Sequence, residues 1–391
     1  MTRAAPTGKL AGSPVSLGPT LRRLAVCRAC PTMRGWRKFS PTALGRRDAR
    51  FVLVGEAPGI ASIDNARQWT GAGGMILRRE IRRLGLDLEE LFYLTNAVKC
   101  WPAGPPRPGH GRRGNRSPLA SEARQCRPFL AAELEALRPE VVVAVGAVAA
   151  RAVLDRPIRL PDDHGRRFMV GGREVVVLLH PANASRHRSA WPTYRTSLLA
   201  IFGELAARAG FPIVEVTAAV VERGGRFLVC RRDPAKHLGG LWEFPGGKRD
   251  PGESLEACLR RELDEELGVR ATVGARLGIV PWVYPDRRVL LHFFRCELAG
   301  GRITPREGQP YRWVTPPELQ ALPMPPADAE LVAQLAATRR RPPVGPGAPR
   351  GARAPAGAMV RGRSGGSGGA ARSTRPSRAP RADSPRGWRA T

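Results

Sequence analysis

Residues 241–269 read LWEFPGGKRDPGESLEACLRRELDEELGV and decide how the second half of the chain folds. Gly246 and Gly247 allow a tight turn between a strand and a helix, because glycine adopts backbone angles that other residues avoid. Ser254 can cap the N-terminus of the helix, and Gly268 suits its C-terminal exit. The spacing therefore predicts one helix between these two residues, directly after a glycine turn.

The predicted helix carries Glu262, Glu265 and Glu266 on one face, since they stand three and four positions apart. Carboxylates this close repel one another unless a cation neutralises them. Oxygen ligands with room for water and phosphate suit Mg²⁺ or Mn²⁺. The alternative is a solvated acidic face paired with arginines, which a run of charges alone would favour. The glycine turn and the complete spacing favour the metal site.

From Gly247 to Val269 the chain fills every position of the pattern G-x5-E-x7-R-E-U-x-E-E-x-G-U, in which U is aliphatic. This stretch resembles the signature of the Nudix hydrolases, which hydrolyse a nucleoside diphosphate linked to another group. The resemblance implies an α/β/α Nudix fold over residues 213–338 and metal-assisted hydrolysis. The metal ligands that it implies are the Gly247 carbonyl and the carboxylates of Glu262, Glu265 and Glu266.

Segments outside the signature resemble the MutT-type enzymes of the nucleotide pool. They are WEFPGGK at 242–248, EGQP at 307–310, Trp313-Val314 and PPAD at 325–328, in that order.

The MutT resemblance implies that Glu307 is a further metal ligand or base, that Arg232 lies near the substrate phosphates, and that Asp328 reads the base. An Asp accepts hydrogen bonds, or donates one when protonated. An Asp at position 328 departs from MutT proper and resembles relatives that also act on oxidised or methylated cytosine nucleotides. The expected substrate is a modified nucleoside triphosphate such as 8-oxo-dGTP, cleaved to a monophosphate and pyrophosphate.

The charge of the 391-residue chain is unevenly distributed. The formal net charge is +30, which indicates a polyanionic partner. Residues 213–338 hold 17 basic and 17 acidic residues, whereas residues 339–391 hold 13 Arg and one Asp. The excess outside this tail therefore lies in the first half. A basic first half suits DNA, and a neutral second half suits a small nucleotide whose metal ions carry the compensating charge.

In residues 21–210, continuous apolar stretches alternate with helical patterns, which predicts a parallel α/β sheet. The predicted strands are RFVLVG at 50–55, LFYLTNAV at 91–98, EVVVAVG at 140–146 and EVVVLLH at 174–180. The predicted helices lie at 21–28, 73–84, 119–137, 147–154 and 193–207. Ligands bind at the carboxyl ends of such strands. Those ends carry Glu56, Asn96 and His180.

Four cysteines of the first half form a candidate metal site. Cys27 and Cys30 are separated by two residues, and Cys100 and Cys126 follow. Four thiolates can hold a [4Fe–4S] cluster or a structural zinc ion, and the spacing does not decide between them. The alternative is four separate core thiols. The odd total of seven cysteines in a chain of this length favours a reducing cytosol over disulfides.

Residues 21–210 resemble the iron–sulfur uracil-DNA glycosylases of family 4. The matching segments are CRAC at 27–30, GEAPG at 55–59, GAGGMIL at 71–77, TNAVKC at 95–100, RPEVVVAVG at 138–146 and HPA at 180–182. The resemblance implies a three-layer fold around a parallel sheet and excision of uracil from DNA. It also implies that the four cysteines hold a [4Fe–4S] cluster with a structural role.

Breaking an N-glycosidic bond develops negative charge on the uracil and positive charge on the sugar. A base taken out of the stack also needs an aromatic face. Asn96 can read the N3–H and O4 edge, and Trp69 can stack on the base. His180 can donate to O2, and Glu56 can stabilise the sugar cation or orient water. Arg186 can enter the vacated stack or hold phosphate. Singly, such an Asn or His is usually structural, and it is their combination that favours catalysis.

Three features depart from the glycosylase pattern. Trp69 stands where the family usually has Phe, and Ser62 stands where it usually has an acidic residue. The loop at 101–114 is longer than usual. The missing acid favours one alternative, in which the Nudix hydrolase is fused to a weakly active or non-catalytic module that binds uracil or DNA. In another, the Nudix half only recognises a lesion, but its complete signature argues against that.

The ends of the chain lack the apolar residues that a core needs, so residues 1–20 and 339–391 are predicted to be disordered. The basic tail either adds salt-sensitive DNA affinity or is an inert linker. No apolar run approaches about 18 residues, and the N-terminus lacks the core of a signal peptide. We therefore expect a cytoplasmic, nucleoid-associated monomer without membrane contact.

Overall fold

The computed structural model describes residues 17–33, 48–106, 113–160, 162–187, 189–300 and 302–338. Most of the segments predicted to be disordered, 1–16 and 339–391, lie outside these ranges. The exception is residues 17–20, which are helical. The first helix, α1, spans Leu17–Ala25 and so begins four residues before the predicted 21–28.

The first domain contains eight helices and seven strands within the described residues. The helices are α1, α2 Ile60–Asp64, α3 Ala72–Arg82, α4 Leu88–Leu91, α5 Ala120–Leu137, α6 Ala147–Leu154, α7 Pro181–Arg186 and α8 Trp191–Arg208. The strands are β1 Phe51–Gly55, β2 Phe92–Asn96, β3 Ala103–Pro106, β4 Arg113–Asn115, β5 Val141–Val145, β6 Arg167–Val170 and β7 Arg173–Leu178.

The predicted parallel sheet is confirmed, with strand order β2-β1-β5-β7-β6. The first four strands are parallel, and β6 pairs with β7 in the antiparallel sense. Alternate side chains of β1 serve two cores. Phe51 and Leu53 pack on the side of α3 and α8, whereas Val52 and Val54 pack on the side of α5 and α6. The sheet is thus covered on both faces, which is the expected three-layer arrangement.

Six elements of this domain were not predicted: the short helices α2, α4 and α7 and the strands β3, β4 and β6. Strand β6 is short and mostly exposed, so it lacks the apolar signal of a buried strand. Helix α7 follows His180 directly, with Pro181 at its first position. Strands β3 and β4 pair as a hairpin in the region of the loop expected at 101–114.

The second domain contains six strands and three helices within the described residues. They are β8 Ile213–Arg223, β9 Arg226–Arg231, β10 Trp242–Glu243, β11 Ala271–Val283, β12 Arg288–Leu298, β13 Tyr311–Val314, α9 Leu255–Leu267, α10 Pro316–Ala321 and α11 Ala329–Thr338.

The sheet of the second domain has strand order β10-β9-β8-β12-β11, with β13 paired to β9. The predicted hairpin between β8 and β9 is present, and β8 also runs parallel to β12. Leu259, Leu263 and Leu267 of α9 pack on one face of the sheet. Leu319 of α10 and Leu331 of α11 pack on the other face. The predicted α/β/α order is therefore confirmed.

The caps of α9 are those that its sequence predicts. The Ser254 hydroxyl accepts a hydrogen bond from the Ala257 N–H at 3.1 Å. Gly268 ends the helix with a φ of 63°, in the left-handed region where a side chain adds strain. These caps fix the start and the end of the helix, and with them the positions of its three glutamates.

Replacing Leu263 with Ala tests how firmly the sheet holds α9. The Leu263 side chain is fully buried, so its truncation leaves a cavity beneath the acidic face. We expect a loss of about 2–5 kcal/mol in the free energy of unfolding, measured by urea denaturation. The exposed neighbour Arg260, changed to Ala, is the control and should alter stability by less than about 0.5 kcal/mol. Equal effects of the two changes would contradict this packing.

Candidate active sites

A cavity of about 970 Å³ opens beside α9 in the second domain. Its walls include six of the seven residues that the sequence predicts for the nucleotide site: Arg232, Gly247, Glu262, Glu266, Glu307 and Asp328. Glu265 does not line the cavity. Its side chain is 57% exposed, and its carboxylate accepts a hydrogen bond from Arg261 at 3.0 Å.

The glycine turn brings backbone and carboxylate together. A Cβ on Gly247 would lie 2.3 Å from the carboxylate of Glu262, so only glycine lets this side chain approach. Gly246 has a φ of 145°, and a Cβ there would lie 2.2 Å from the Thr217 carbonyl oxygen. The Gly247 carbonyl accepts the Thr217 N–H at 2.9 Å. The Thr217 hydroxyl at 3.5 Å and the Cys258 thiol at 3.8 Å also donate to that carbonyl oxygen, over longer distances.

Mutual repulsion and burial hold protons on this acidic face. The pKa of Glu266 is raised to about 8 by burial first, then by the charges of Glu243 and Glu262. Burial also raises the pKa of Glu262. Carboxyl groups in this state gain most from a cation, because a bound cation offsets the repulsion that raises their pKa.

Arg261 and Glu253 form an ion pair within the signature. Arg261 Nε and Nη2 each donate to the Glu253 carboxylate at 3.0 Å, while Nη1 donates to Glu262 and Glu265 at 3.0 Å. One guanidinium therefore joins the loop before α9 to two glutamates on the helix. This contact fixes the direction in which the acidic face points.

A second group of charges lies across the cavity. Arg232 donates to the Glu243 carboxylate and, at 3.0 Å, to the His237 carbonyl. Asp328 is only 3% exposed. Its pKa is raised to about 8 by burial and then by Glu243, against a smaller opposing effect of Arg232. Asp328 is therefore mostly protonated at neutral pH and can donate a hydrogen bond to a base.

The sequence did not single out Glu243 or Lys236. Glu243 lies within the WEFPGGK segment but outside the signature, and the pairing of β10 with β9 turns it towards Arg232. Lys236 pairs with Glu307 at 2.9 Å, and both side chains are about half exposed. This pair places a mobile charge at the cavity entrance, where a phosphate chain would pass.

In the first domain, Asn96 and Trp69 meet over Gly55 at the end of β1. A Cβ on Gly55 would lie 2.4 Å from Asn96 Oδ1 and 2.8 Å from the Trp69 ring. Asn96 is 4% exposed, and its Nδ2 donates to Gln68 Oε1 at 3.0 Å. Gln68 was not predicted. By accepting this bond it fixes the Asn96 amide with its oxygen next to Gly55.

Trp69 adopts a φ of 59°, which is unusual for a bulky residue. Its carbonyl accepts a hydrogen bond from the buried Arg78 at 3.1 Å, and Arg78 also pairs with Glu89. The Trp69 ring stacks on His180, with ring centroids 6.0 Å apart. A bidentate ion pair therefore holds this strained aromatic residue beside the predicted histidine.

His180 caps α7 and lies in an apolar setting. Its Nδ1 accepts the Ala182 N–H at 3.3 Å, which leaves the proton on Nε2. Burial first, and then Arg186, lowers the pKa of His180 to about 4. The imidazole is therefore neutral at physiological pH and can donate from Nε2. Arg186 itself donates to the Ala182 carbonyl at 2.9 Å and to Asn183 Oδ1 at 2.7 Å.

Glu56 follows β1 and points at the N-terminus of α6. Its Oε1 accepts the Val148 N–H at 3.4 Å, and burial raises its pKa. Gly146, with a φ of 93°, makes room for it, because a Cβ there would lie 2.4 Å from Glu56 Oε1. Ser62, in place of the usual acidic residue, is buried nearby in α2. Glu56 thus places a carboxylate at the carboxyl end of β1.

The cysteines lie near one another on the other side of β2. Cys30 and Cys100 pack against the buried Cys126. The pKa of Cys30 is raised to about 11 by burial first, then by Cys126, Glu122 and Cys27. All seven cysteines are thiols. In the described part of the chain, no group of three or more His, Cys, Asp or Glu side chains is placed so that it could hold a metal ion.

None of the described helices is both long enough and apolar enough to cross a membrane.

These two sites define a polypeptide with two hydrolytic centres. A family model for the uracil DNA glycosylase superfamily matches residues 42–206, and one for the NUDIX domain matches residues 216–334. The chain belongs to the uracil-DNA glycosylases through its first domain and to the Nudix hydrolases through its second. It is therefore an enzyme that fuses the two families, as the sequence predicted.

Relatives of both halves are similar over most of their own length. The type-4 uracil-DNA glycosylase of Thermotoga maritima is 32% identical over 169 residues, which cover 43% of this chain and 82% of that protein. The CTP pyrophosphohydrolase of Escherichia coli is 37% identical over 131 residues, 34% of this chain and 97% of that protein. A putative 8-oxo-dGTP diphosphatase 2 of Mycobacterium tuberculosis is 38% identical over 126 residues, 32% of this chain and 88% of that protein.

Proposed function

We propose that this enzyme excises uracil from DNA with residues 21–210 and hydrolyses modified nucleoside triphosphates with residues 213–338. One observation carries the proposal: each domain gathers the reacting groups of its family around a glycine that lets them approach. Gly55 lies beneath Asn96 and Trp69, and Gly247 lies against Glu262.

The uracil reaction follows from the polar groups at the strand ends. Asn96 accepts from the uracil N3–H and donates to O4, since Gln68 holds its amide in that direction. Neutral His180 donates from Nε2 to O2 as negative charge develops on the departing base. Glu56 stabilises the positive sugar or orients the attacking water. Trp69 stacks on the flipped base, and Arg186 contacts the DNA backbone or the vacated stack.

The acidic face of the second domain fits a divalent cation. Its donors are hard oxygens, and burial first, then the charges of neighbouring glutamates, raises the pKa of Glu262 and Glu266. We assign Gly247, Glu262, Glu265, Glu266 and Glu307 as the residues that would hold Mg²⁺ or Mn²⁺. When bound, such an ion polarises a phosphate and lowers the pKa of a water molecule.

The protein groups around this face bind and orient the nucleotide. Arg232 and Lys236 supply positive charge along the phosphate path, while Asp328 donates to the base. The products are a nucleoside monophosphate and pyrophosphate. We favour 8-oxo-dGTP and modified cytosine nucleotides as substrates, because similar proteins are named as an 8-oxo-dGTP diphosphatase and a CTP pyrophosphohydrolase.

The cysteine group fits a metal centre by its donors. Burial first, and then the charges of neighbouring cysteines and of Glu122, raises the pKa of Cys30 and Cys126, so thiolates at these two positions would gain from a positive partner. We propose that these three and Cys100 hold a [4Fe–4S] cluster, which fixes the segment before β1 against α5. The similarity to type-4 glycosylases supports a cluster over a zinc ion.

The substrates suggest where the enzyme works. Uracil-containing DNA and its precursor nucleotides are both cytoplasmic, so we place the protein in the cytoplasm with access to the nucleoid. Each site is built within one chain, which supports a monomer.

Replacing His180 with Ala should reduce uracil excision by at least about 100-fold, since the donor to O2 is lost. The measurement incubates the full chain with a uracil-containing oligonucleotide and scores alkali-labile abasic sites. The control is His187→Ala, because this histidine is exposed at the end of α7. If wild-type protein with an intact cluster released no uracil, the glycosylase assignment would be wrong.

Replacing Glu265 with Gln should abolish Mg²⁺-dependent hydrolysis of 8-oxo-dGTP while leaving the domain folded. Pyrophosphate release measures the activity, and circular dichroism checks the fold. Glu256→Gln removes an exposed carboxylate from the same helix and should leave turnover unchanged. Because Glu265 lies outside the cavity wall, unchanged turnover in Glu265→Gln would remove it from the ligand set.

The protonated state of Asp328 predicts a pH-dependent KM. Its pKa is raised to about 8, so it donates below pH 8 and loses its proton above it. KM for 8-oxo-dGTP should therefore rise above pH 8 in the wild type and stay level in Asp328→Asn, whose amide still donates. Both proteins keep Glu266, so the difference between their KM profiles reports on Asp328. Identical KM profiles would contradict the role of Asp328 as a donor.

A further inference from the structure

The two catalytic domains share a hydrophobic core. Helix α8 of the first domain packs against β11 of the second. Ile279 of β11 and Leu290 of β12 are buried within the core cluster of the first domain, beside Leu198 and Phe202. Gly203 permits this approach, because a Cβ there would lie 2.6 Å from the Leu290 side chain. The two domains are therefore packed together and not only joined by a linker.

An ion network crosses the same interface. Glu330 of α11 accepts a hydrogen bond from Arg195 Nη1 at 2.5 Å and from Arg83 Nη2 at 2.5 Å. Arg195 Nε also donates at 2.8 Å to Glu80, which is 1% exposed. The Arg195 side chain is 13% exposed and that of Glu330 is 30% exposed. Solvent therefore screens these charges only in part, unlike those of a surface pair.

Glu330 lies two residues after Asp328. Asp328 ends a short 3₁₀ turn, Pro326–Asp328, and α11 begins at the next residue. Asp328 lines the nucleotide cavity, whereas Glu330 lines a separate cavity of about 370 Å³ at the domain interface. The 3₁₀ turn thus ends with an acidic side chain in the nucleotide site, and the first turn of α11 directly after it carries one that the glycosylase domain holds.

We propose that Arg195 and Arg83 of the glycosylase domain are positioning residues for the nucleotide site. By holding Glu330 they fix the first turn of α11, and with it the direction of the Asp328 carboxyl group. Leu331 anchors the same turn from within the second domain, so the two arginines act together with this apolar contact. This inference rests on the proposed nucleotide hydrolysis, because Asp328 is taken to contact the base.

The test compares full-length Arg195→Met and Glu330→Gln with the wild type, using 8-oxo-dGTP and CTP. KM for a nucleotide that the wild type hydrolyses should rise about three- to tenfold, with kcat within about twofold. The kcat is spared because the acidic face of α9 is untouched. The double variant should be no worse than Glu330→Gln alone, since that change already removes the ion pairs of Glu330 with both Arg195 and Arg83. Uracil excision should be unchanged.

Arg208→Met is the matched control. This residue is on the same helix and pairs with Glu174 and Glu204, within the first domain. It should leave both KM values unchanged. If Arg195→Met proves unstable, Glu330→Gln tests the same contact from the partly exposed partner.

A second readout is independent of any substrate. Hydrogen–deuterium exchange of amides 326–332 should be at least about fivefold faster in Arg195→Met and Glu330→Gln than in the wild type or Arg208→Met. Unchanged exchange would overturn the proposal, whichever nucleotide is hydrolysed. Faster exchange with unchanged KM would also overturn it, because α11 would then move without affecting the site. If the wild type hydrolysed neither nucleotide, the proposed function would fail while exchange still tested the interface.

Discussion

Repulsion among carboxylates is the constraint around which the second domain is built. Glu262 and Glu266 face a cavity that also contains Glu243 and Glu307, and burial with repulsion raises the pKa of Glu266 to about 8. An isolated helix would reduce this repulsion by rotating or unwinding. Here the Ser254 cap and the buried leucine stripe prevent both movements, so a bound cation would offset the repulsion that remains.

Positive charge lies close to the carboxylates of the cavity. Arg261 binds Glu253, Glu262 and Glu265 on the helix, and Arg232 is paired with Glu243. Arg232 and Lys236 both line the cavity with the glutamates. A phosphate chain bound there would meet charges of both signs.

The constraint in the first domain is different. Its strands end in an apolar layer, and polar side chains must be accommodated there. Each of them has a defined partner: Gln68 for Asn96, the Ala182 N–H for His180, and the Val148 N–H for Glu56. Burial keeps His180 neutral, which suits a donor to a developing anion. Burial thus has a different effect in each domain. In the second domain it accompanies a cluster of carboxylates, and in the first domain it keeps His180 uncharged.

Local sequence patterns predicted many of the helices and strands, whereas contacts between residues far apart in the sequence could not be predicted. The signature fixed α9 with both caps, and the apolar runs located β1, β2, β5 and β7. Gln68 was missed because its partner is 28 positions away and its own segment has no motif. The network at Glu330 joins residues 135 positions apart in two domains, and nothing in either local sequence indicates it. Strand β6 was not predicted because an exposed edge strand lacks an apolar run.

Binding of Mn²⁺, followed by electron paramagnetic resonance as a stand-in for Mg²⁺, tests most directly whether the acidic face is built for a cation. The wild-type chain should bind Mn²⁺ in competition with Mg²⁺. Glu262→Gln and Glu266→Gln should each weaken that binding by at least about tenfold, while Glu256→Gln, outside the cavity, should not. Equal binding by the wild type and all three variants, or no binding by the wild type, would contradict the account.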